Sequence, residues 1–272
     1  VINATASGLI EHFFKNRKCF GRFYAGKNGI LGALNEELVD IISENKMELK
    51  LLSKTPGGAF GSCRLKLKDY VKSEREFQRI YEVFKAHNIR YFFYNGGGDS
   101  QDTTNKISKF FKTKGYAISC IGLPKTIDND LPITYCCPGY GSVAKYIATS
   151  TLEASLDVKS MSQTSTKVFI LEVMGRHAGW LAASSGIIKR RAEDPPHIIL
   201  FPEVEFKQTD FLRKVRGVIS KYGYCVIVAS EGIKSKNKFI SDSGLKDSFG
   251  HAQLGGVAPV LSNMITSVLN IK

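Results

Sequence analysis

Five short runs of β-branched, aromatic and other apolar residues recur along the chain: "RYFFYN" (90–95), "YAISCIGL" (116–123), "KVFILEVM" (167–174), "HIILFPEV" (197–204) and "YCVIVASEG" (224–232). They are continuous, not alternating, which marks strands covered on both faces and hence a mostly parallel sheet. Helix-length segments separate them. Ser73, with Glu76 three residues on, has the pattern of a capping box, and Phe77, Ile80, Tyr81 and Phe84 then return at helical spacing. A second helix is expected from about Thr103, burying Ile107, Phe110 and Phe111 and ending at Gly115. Segments 141–163, 178–191 and 209–221 also read as helices. This alternation predicts an α/β, doubly wound architecture. Pro138 and two glycines in "CCPGYGS" (136–142) interrupt the pattern and mark a domain boundary near residue 137.

Composition narrows the class. With 272 residues, 43% hydrophobic and 23% charged, the chain can fill one large domain or two smaller ones. No apolar stretch approaches the roughly 20 residues of a membrane span, and "VINATASGLIEHFFKNRK" lacks the charge-then-apolar order of a secretion signal. A cytoplasmic protein without a membrane partner is expected. The six cysteines are scattered with no CxxC pair, which argues against structural zinc; adjacent Cys136 and Cys137 are expected to be buried apolar residues in a reducing compartment. The net charge of +13 suits a polyanion, but the lysines and arginines are spread along the whole chain. No nucleic-acid partner is expected; the excess reads as solvated surface, with a minority steering an anionic small substrate.

Ligands of open α/β sheets bind at the carboxyl ends of the strands, in the loops that open the next helix. Four such loops carry functional groups. In "YNGGGDS" (94–100), Gly96, Gly97 and Gly98 allow close backbone approach while Ser100 and the following amides face a helix N-terminus; phosphate cradle and plain turn both fit. In "GLPKTIDND" (122–130), Asp128 and Asp130 suit a base and a metal ligand, with Lys125 and Thr126 placed for an anion; the alternative is an Asn/Asp turn. In "EVMGRHAGW" (172–180), Arg176 suits a phosphate, and His177 is either a chemical group or a packed one. In "VASEGI" (228–233), Glu231 suits sugar hydroxyls or serves as a helix N-terminal charge.

The ordered set "GGGDS", "PKTIDND", "EVMGRHAGW", "PEVEF" (202–206), "ASEG" and "FGHAQLGG" (249–256) resembles the phosphofructokinase family over nearly the whole chain, and its pyrophosphate-dependent branch above all. The resemblance implies two doubly wound, mostly parallel-sheet domains with a cleft between them. It implies reversible transfer of a phosphoryl group to the 1-hydroxyl of fructose 6-phosphate, a step of glycolysis, with magnesium as cofactor and a homo-oligomer, dimer or larger, as the assembly. Asp128 would take the hydroxyl proton, and Asp130 would lie close to the magnesium. Thr126, Ile127, Met174, Gly175, Arg176 and Glu231 would bind the sugar phosphate. Gly97, Gly98, Asp99, Ser100 and Lys125 would face the phosphoryl donor. Family members that use ATP have glycines where this chain has Asp99 and Lys125. An aspartate about 4 Å from the α-phosphate of ATP costs about 4 kcal/mol at an effective dielectric near 20, or roughly a thousandfold; pyrophosphate has no α-phosphate.

The chain departs from the family pattern in three ways. Gly98 replaces an aspartate that holds magnesium in many relatives. Lys167 replaces an arginine that reaches the sugar phosphate of a neighbouring subunit, keeping the charge without the bidentate fork. The family's first strand and its GGxxPGxN loop would precede "NATASG", and further helices would follow Lys272, so an interior piece of a longer protein, or the product of a truncated gene, is expected. The expected domains are 1–137, completed by 251–272, for the donor, and 138–250 for the sugar phosphate. Competing readings are an ATP-dependent phosphofructokinase and a non-catalytic, regulatory or decayed subunit of the same fold.

Overall fold

A computed structural model describes residues 1–246 and 252–271, and the contacts divide them into two compact units that part between Thr126 and Ile127. The first unit contains α1 (Ile2–Lys15), β1 (Tyr24–Gly26), α2 (Ile30–Asn35), β2 (Leu38–Asp40), α3 (Lys46–Leu51), α4 (Glu74–Ala86), β3 (Tyr91–Gly96), α5 (Gly98–Thr113) and β4 (Ser119–Pro124). Strands β3 and β4 pair in parallel, from Tyr91 opposite Ser119 to Gly96 opposite Pro124, with α5 as the crossover. The amphipathic faces read from the sequence meet here: Phe77, Ile80, Val83 and Phe84 of α4 and Ile107, Phe110 and Phe111 of α5 are all buried in one cluster. Each such side chain contributes about 1.5–3 kcal/mol by leaving water. Strands β1 and β2 form a separate antiparallel ribbon.

Two local expectations fail in this unit. The capping box is not made: Ser73 precedes α4 but makes no side-chain bond into it, and its Oγ instead accepts from the Lys68 amide at 3.3 Å. Helix α5 begins at Gly98, five residues before the expected start at Thr103. The Ser100 and Gln101 amides both donate to the Gly97 carbonyl, at 3.0 and 3.1 Å, so the glycine loop is itself the first turn. Gly115, at φ +65°, ends the helix as expected.

The second unit contains α6 (Tyr140–Met161), β5 (Val168–Val173), α7 (Trp180–Ser184), a 3₁₀ turn (Ser185–Ile188), β6 (Ile198–Leu200), α8 (Gln208–Tyr222), β7 (Cys225–Ser230), the short antiparallel strands β8 (Lys234–Ser235), β9 (Lys238–Phe239), β10 (Asp242–Lys246) and β11 (Ala252–Leu254), and α9 (Val257–Leu269). Its sheet has the order β5–β7–β6, with all pairings parallel. The central strand β7 is buried along its whole length. Cys225, Ile227 and Ala229 pack with α8 and α9, whereas Val226 and Val228 pack with residues of α6 and α7. Alternate residues thus face opposite helical layers, the physical meaning of an uninterrupted apolar strand.

The helix expected over 178–191 is confined to α7 and the 3₁₀ turn. The expected domain boundary at residue 137 falls inside the second unit, and Val257, Leu261 and Ile265 of α9 pack in the cluster around β7 rather than in the first unit. The Phe249–His251 part of "FGHAQLGG" lies outside the described residues. All six cysteines are free; Cys137 is buried as expected, but Cys136 is exposed. No described helix is long and apolar enough to cross a membrane.

Candidate active site

In the first unit the site is built at the carboxyl ends of β3 and β4. The Lys125 amide donates to the Gly96 carbonyl at 2.9 Å, carrying the parallel ladder one step past the strands. Gly97, Gly98, Asp99 and Ser100 therefore open α5 beside Lys125, with amides at a helix N-terminus suited to an anion. Gly96 is required by packing: a Cβ there would overlap the Ser100 hydroxyl. Ser100 is turned inward, where it and the Ile30 backbone hydrogen-bond to Tyr94; burial nevertheless pushes the Tyr94 phenol up to about 12. Ser100 shapes the loop from inside.

Asp99 stands in the first turn of α5, where a negative charge is favoured by the helix dipole. Its carboxylate pairs with Lys66 at 2.7 Å, and both side chains are half-exposed. Lys66 was not among the residues singled out from sequence, and no local pattern marks it, because the pair is made across 33 positions of chain. Gln101, also unmarked in the sequence, donates from Nε2 to the carbonyls of Gly96 and Leu123, at 3.0 and 3.2 Å.

Ile127 to Asp130 open the second unit. Ile127 packs against the cluster of Ile147, Val173, Leu181 and Val228, so its side chain anchors the segment carrying Asp128. Asn129 is buried with φ +55°, a left-handed conformation that asparagine tolerates better than most residues. Its carboxamide donates to the Tyr135 carbonyl at 3.1 Å and accepts from the Cys137 amide at 2.8 Å. The Asn/Asp turn and the loaded motif are thus one object: Asn129 holds the turn, and Asp128 and Asp130 flank it. Asp130 is exposed, and among the described residues its carboxylate takes part in no hydrogen bond or ion pair. It lines a cavity of about 320 Å³ with Leu131, Pro132, Tyr135 and Trp180.

The Met174–Arg176 turn follows β5, and Glu231 follows β7 in the adjacent position; the Glu231 amide donates to the Val173 carbonyl at 2.9 Å. Gly175 has φ +126°, and its carbonyl accepts from the Ser230 hydroxyl. A Cβ at Gly232 would overlap the Arg176 carbonyl, so close backbone contact brings the Arg176 turn against the end of β7. Met174 is 54% exposed, and Arg176 is half-buried. His177 lies beside Phe239, with ring centroids 6.1 Å apart. Glu203 of "PEVEF" accepts from the Gly179 amide at 2.8 Å and so caps α7.

Lys167 is not brought to this group. It immediately precedes β5, its carbonyl accepting from the Cys225 amide, whereas Met174 and Arg176 follow the other end of that six-residue strand. Such a strand spans roughly 20 Å.

Among the described residues no three His, Cys, Asp or Glu side chains form a group for a metal ion. A magnesium ion held mainly by substrate phosphates needs only one or two protein carboxylates. Asp130, exposed and unengaged, fits that role; Gly98 supplies no side chain.

Each unit places glycine turns and charged side chains at the carboxyl ends of parallel strands, the position at which open α/β sheets bind ligands. The sequence pattern of the phosphofructokinase family matches residues 1–272, and the chain belongs to that family. It is 55% identical, over 273 residues, to a pyrophosphate–fructose 6-phosphate 1-phosphotransferase of Halomonas elongata, covering 100% of this chain and 65% of that protein. A protein of the same name from Methylococcus capsulatus is 51% identical over 273 residues, with the same coverage. A solved pyrophosphate-dependent phosphofructokinase from Marinobacter aquaeolei matches with a TM-score of 0.86 at 55% identity, over 100% of this chain and 63% of that one. The chain thus spans about 65% of the length of the curated relatives it matches.

Proposed function

We propose that the whole protein transfers a phosphoryl group from pyrophosphate to the 1-hydroxyl of fructose 6-phosphate, giving fructose 1,6-bisphosphate and phosphate. The observation that carries this reading is that the α5 opening with Asp99 and the loop that starts at Lys125 follow two adjacent parallel strands and are tied by the Lys125 amide, which donates to the Gly96 carbonyl. Phosphoryl transfer depends mostly on positioning and on neutralising charge on the transferring oxygens. Asp128 accepts the proton of the sugar hydroxyl as the new O–P bond forms and the bridging P–O bond breaks. Lys125 offsets the charge of the departing phosphate, while the amides of Gly97, Gly98 and Asp99 face the donor. Arg176 and Glu231 hold the sugar phosphate and sugar, with Met174 against them and Gly175 allowing the turn. Thr126 and Ile127 set the approach of Asp128. Magnesium would rest on Asp130 and the pyrophosphate oxygens, and supplies further positive charge when bound.

In this reading the protein is a cytoplasmic homo-oligomer. The support is the place of Lys167 at the far end of β5, where it serves a neighbouring copy's sugar phosphate rather than its own. Asp99 excludes ATP by repelling the α-phosphate, up to about a thousandfold. The test is formation of fructose 1,6-bisphosphate by the whole protein with pyrophosphate or with ATP. A kcat/KM higher for ATP would overturn the donor assignment, and no turnover with either would overturn the enzyme.

A further inference from the structure

We infer that Gln101 is a positioning residue that locks the two donor-facing loops, Gly97–Asp99 and Lys125–Thr126, into one register. This rests on the pyrophosphate reading above for its kinetic consequence, though not for its geometry. A glutamine in the first turn of a helix ordinarily reaches into water. Here its Nε2 donates to Gly96, the last residue of β3, and to Leu123, next to last in β4, at 3.0 and 3.2 Å. Both amide hydrogens of the side chain are thereby used.

A second observation stands apart from these bonds. Gly122 lies inside β4, a position where glycine weakens a strand. A Cβ at Gly122 would overlap Gln101 Oε1, so the glycine leaves room for the carboxamide. The Gly96 carbonyl also accepts from the Lys125 amide at 2.9 Å, so one oxygen is shared by the residue that opens the lysine loop and by the Gln101 side chain, two positions after Asp99. Loss of the carboxamide frees both loops at once, and pyrophosphate binding loses its two selecting residues together.

The test compares the parent protein at its natural length with Gln101→Met, which keeps the length and removes both donors, and with Gly122→Ala, which displaces the carboxamide from the opposite side. KM for pyrophosphate is expected to rise about tenfold in each, the scale of one or two neutral hydrogen bonds, while KM for fructose 6-phosphate stays within about twofold. Hydrogen exchange of the Leu123, Lys125 and Thr126 amides is expected to quicken. A folded Gln101→Met with both KM values unchanged overturns the inference, as does an equal rise in both, which marks a general structural role. If only Gly122→Ala folds, the same criteria apply to it; if neither folds, the residue serves stability and the inference falls. Should the parent not use pyrophosphate, the function fails on that result alone. Amide exchange needs no substrate, and unchanged exchange still refutes the clamp.

Discussion

Lys66 Nζ stands 2.7 Å from Asp99 Oδ1, so the carboxylate assigned to donor selection carries its own counter-charge. An exposed pair of this kind contributes only about 0–1 kcal/mol to stability. Its consequence lies in binding. Lys66 softens the repulsion that Asp99 exerts on any nearby phosphate, and Asp99→Gly leaves Lys66 unpaired toward the donor. That variant is expected to gain ATP turnover, so that its preference for pyrophosphate over ATP narrows. Lys66→Met is expected to raise KM for pyrophosphate about fivefold to thirtyfold, the effect of one uncompensated charge roughly 8–17 Å from the phosphate at an effective dielectric near 20. Donor-dependent kinetics of both variants check this, and an unchanged donor ratio in Asp99→Gly removes Asp99 from selection.

Asp128→Asn leaves in place the Asn129 bonds that hold the turn and replaces the base with a carboxamide. General-base catalysis contributes about 10²–10⁴-fold, so kcat is expected to fall by that factor with KM for fructose 6-phosphate little changed. Steady-state kinetics at saturating pyrophosphate give the measurement. A loss confined to KM contradicts the role.

Gly232→Ala places a methyl group against the Arg176 carbonyl, where only backbone movement relieves the overlap. Displacement of a positioned group by about 1 Å costs on the order of a hundredfold. The variant is expected to lose ten- to a hundredfold in kcat/KM for fructose 6-phosphate while KM for pyrophosphate holds. Equal losses for both substrates argue against a separate sugar-phosphate subsite at Arg176.

His197 predicts the acid side of the stability profile. Burial, aided by Lys189, lowers its imidazole from 6.5 to about 4, while its Nδ1 accepts from the Val226 amide and its ring lies against Tyr222 and Tyr224. Above pH 6.5 the ring is neutral in folded and unfolded chains alike, and its contribution is constant. Between 6.5 and about 4 the unfolded chain takes up a proton that the folded one refuses, so stability falls as the pH drops through that window. The ring is partly open to solvent, which limits the loss to about 1–2 kcal/mol. Thermal melting of the parent and of His197→Gln across this range is expected to show a shallower acid decline in the variant.

The parallel strands were legible in sequence because burial on two faces demands runs such as "CVIVAS", which no alternating strand can imitate. Other features were set by tertiary contacts that spacing does not encode. Gly98, Asp99 and Ser100 read as loop on propensity alone, yet Gly97 accepts two amides and starts α5 there. Ser73 was spent on Lys68 rather than on its helix. Before residue 52, β1, α2, β2 and α3 are only 3–6 residues long and left little period to read, whereas the 14-residue α1 was missed outright. Asp128, Asp130, Arg176 and Glu231 could be singled out as candidates because charged groups crowd the ends of apolar runs. Lys66 and Gln101 were not, since their partners become neighbours only when β3, β4 and the segment before α4 come together.

The empty corner that Gly122 leaves for the Gln101 carboxamide also has a consequence over evolutionary time. A side chain at 122 and a long amide at 101 exclude each other. Relatives that gain bulk at one position must shorten the other in the same lineage, so these two sites should change as a correlated pair while the surface around them varies freely.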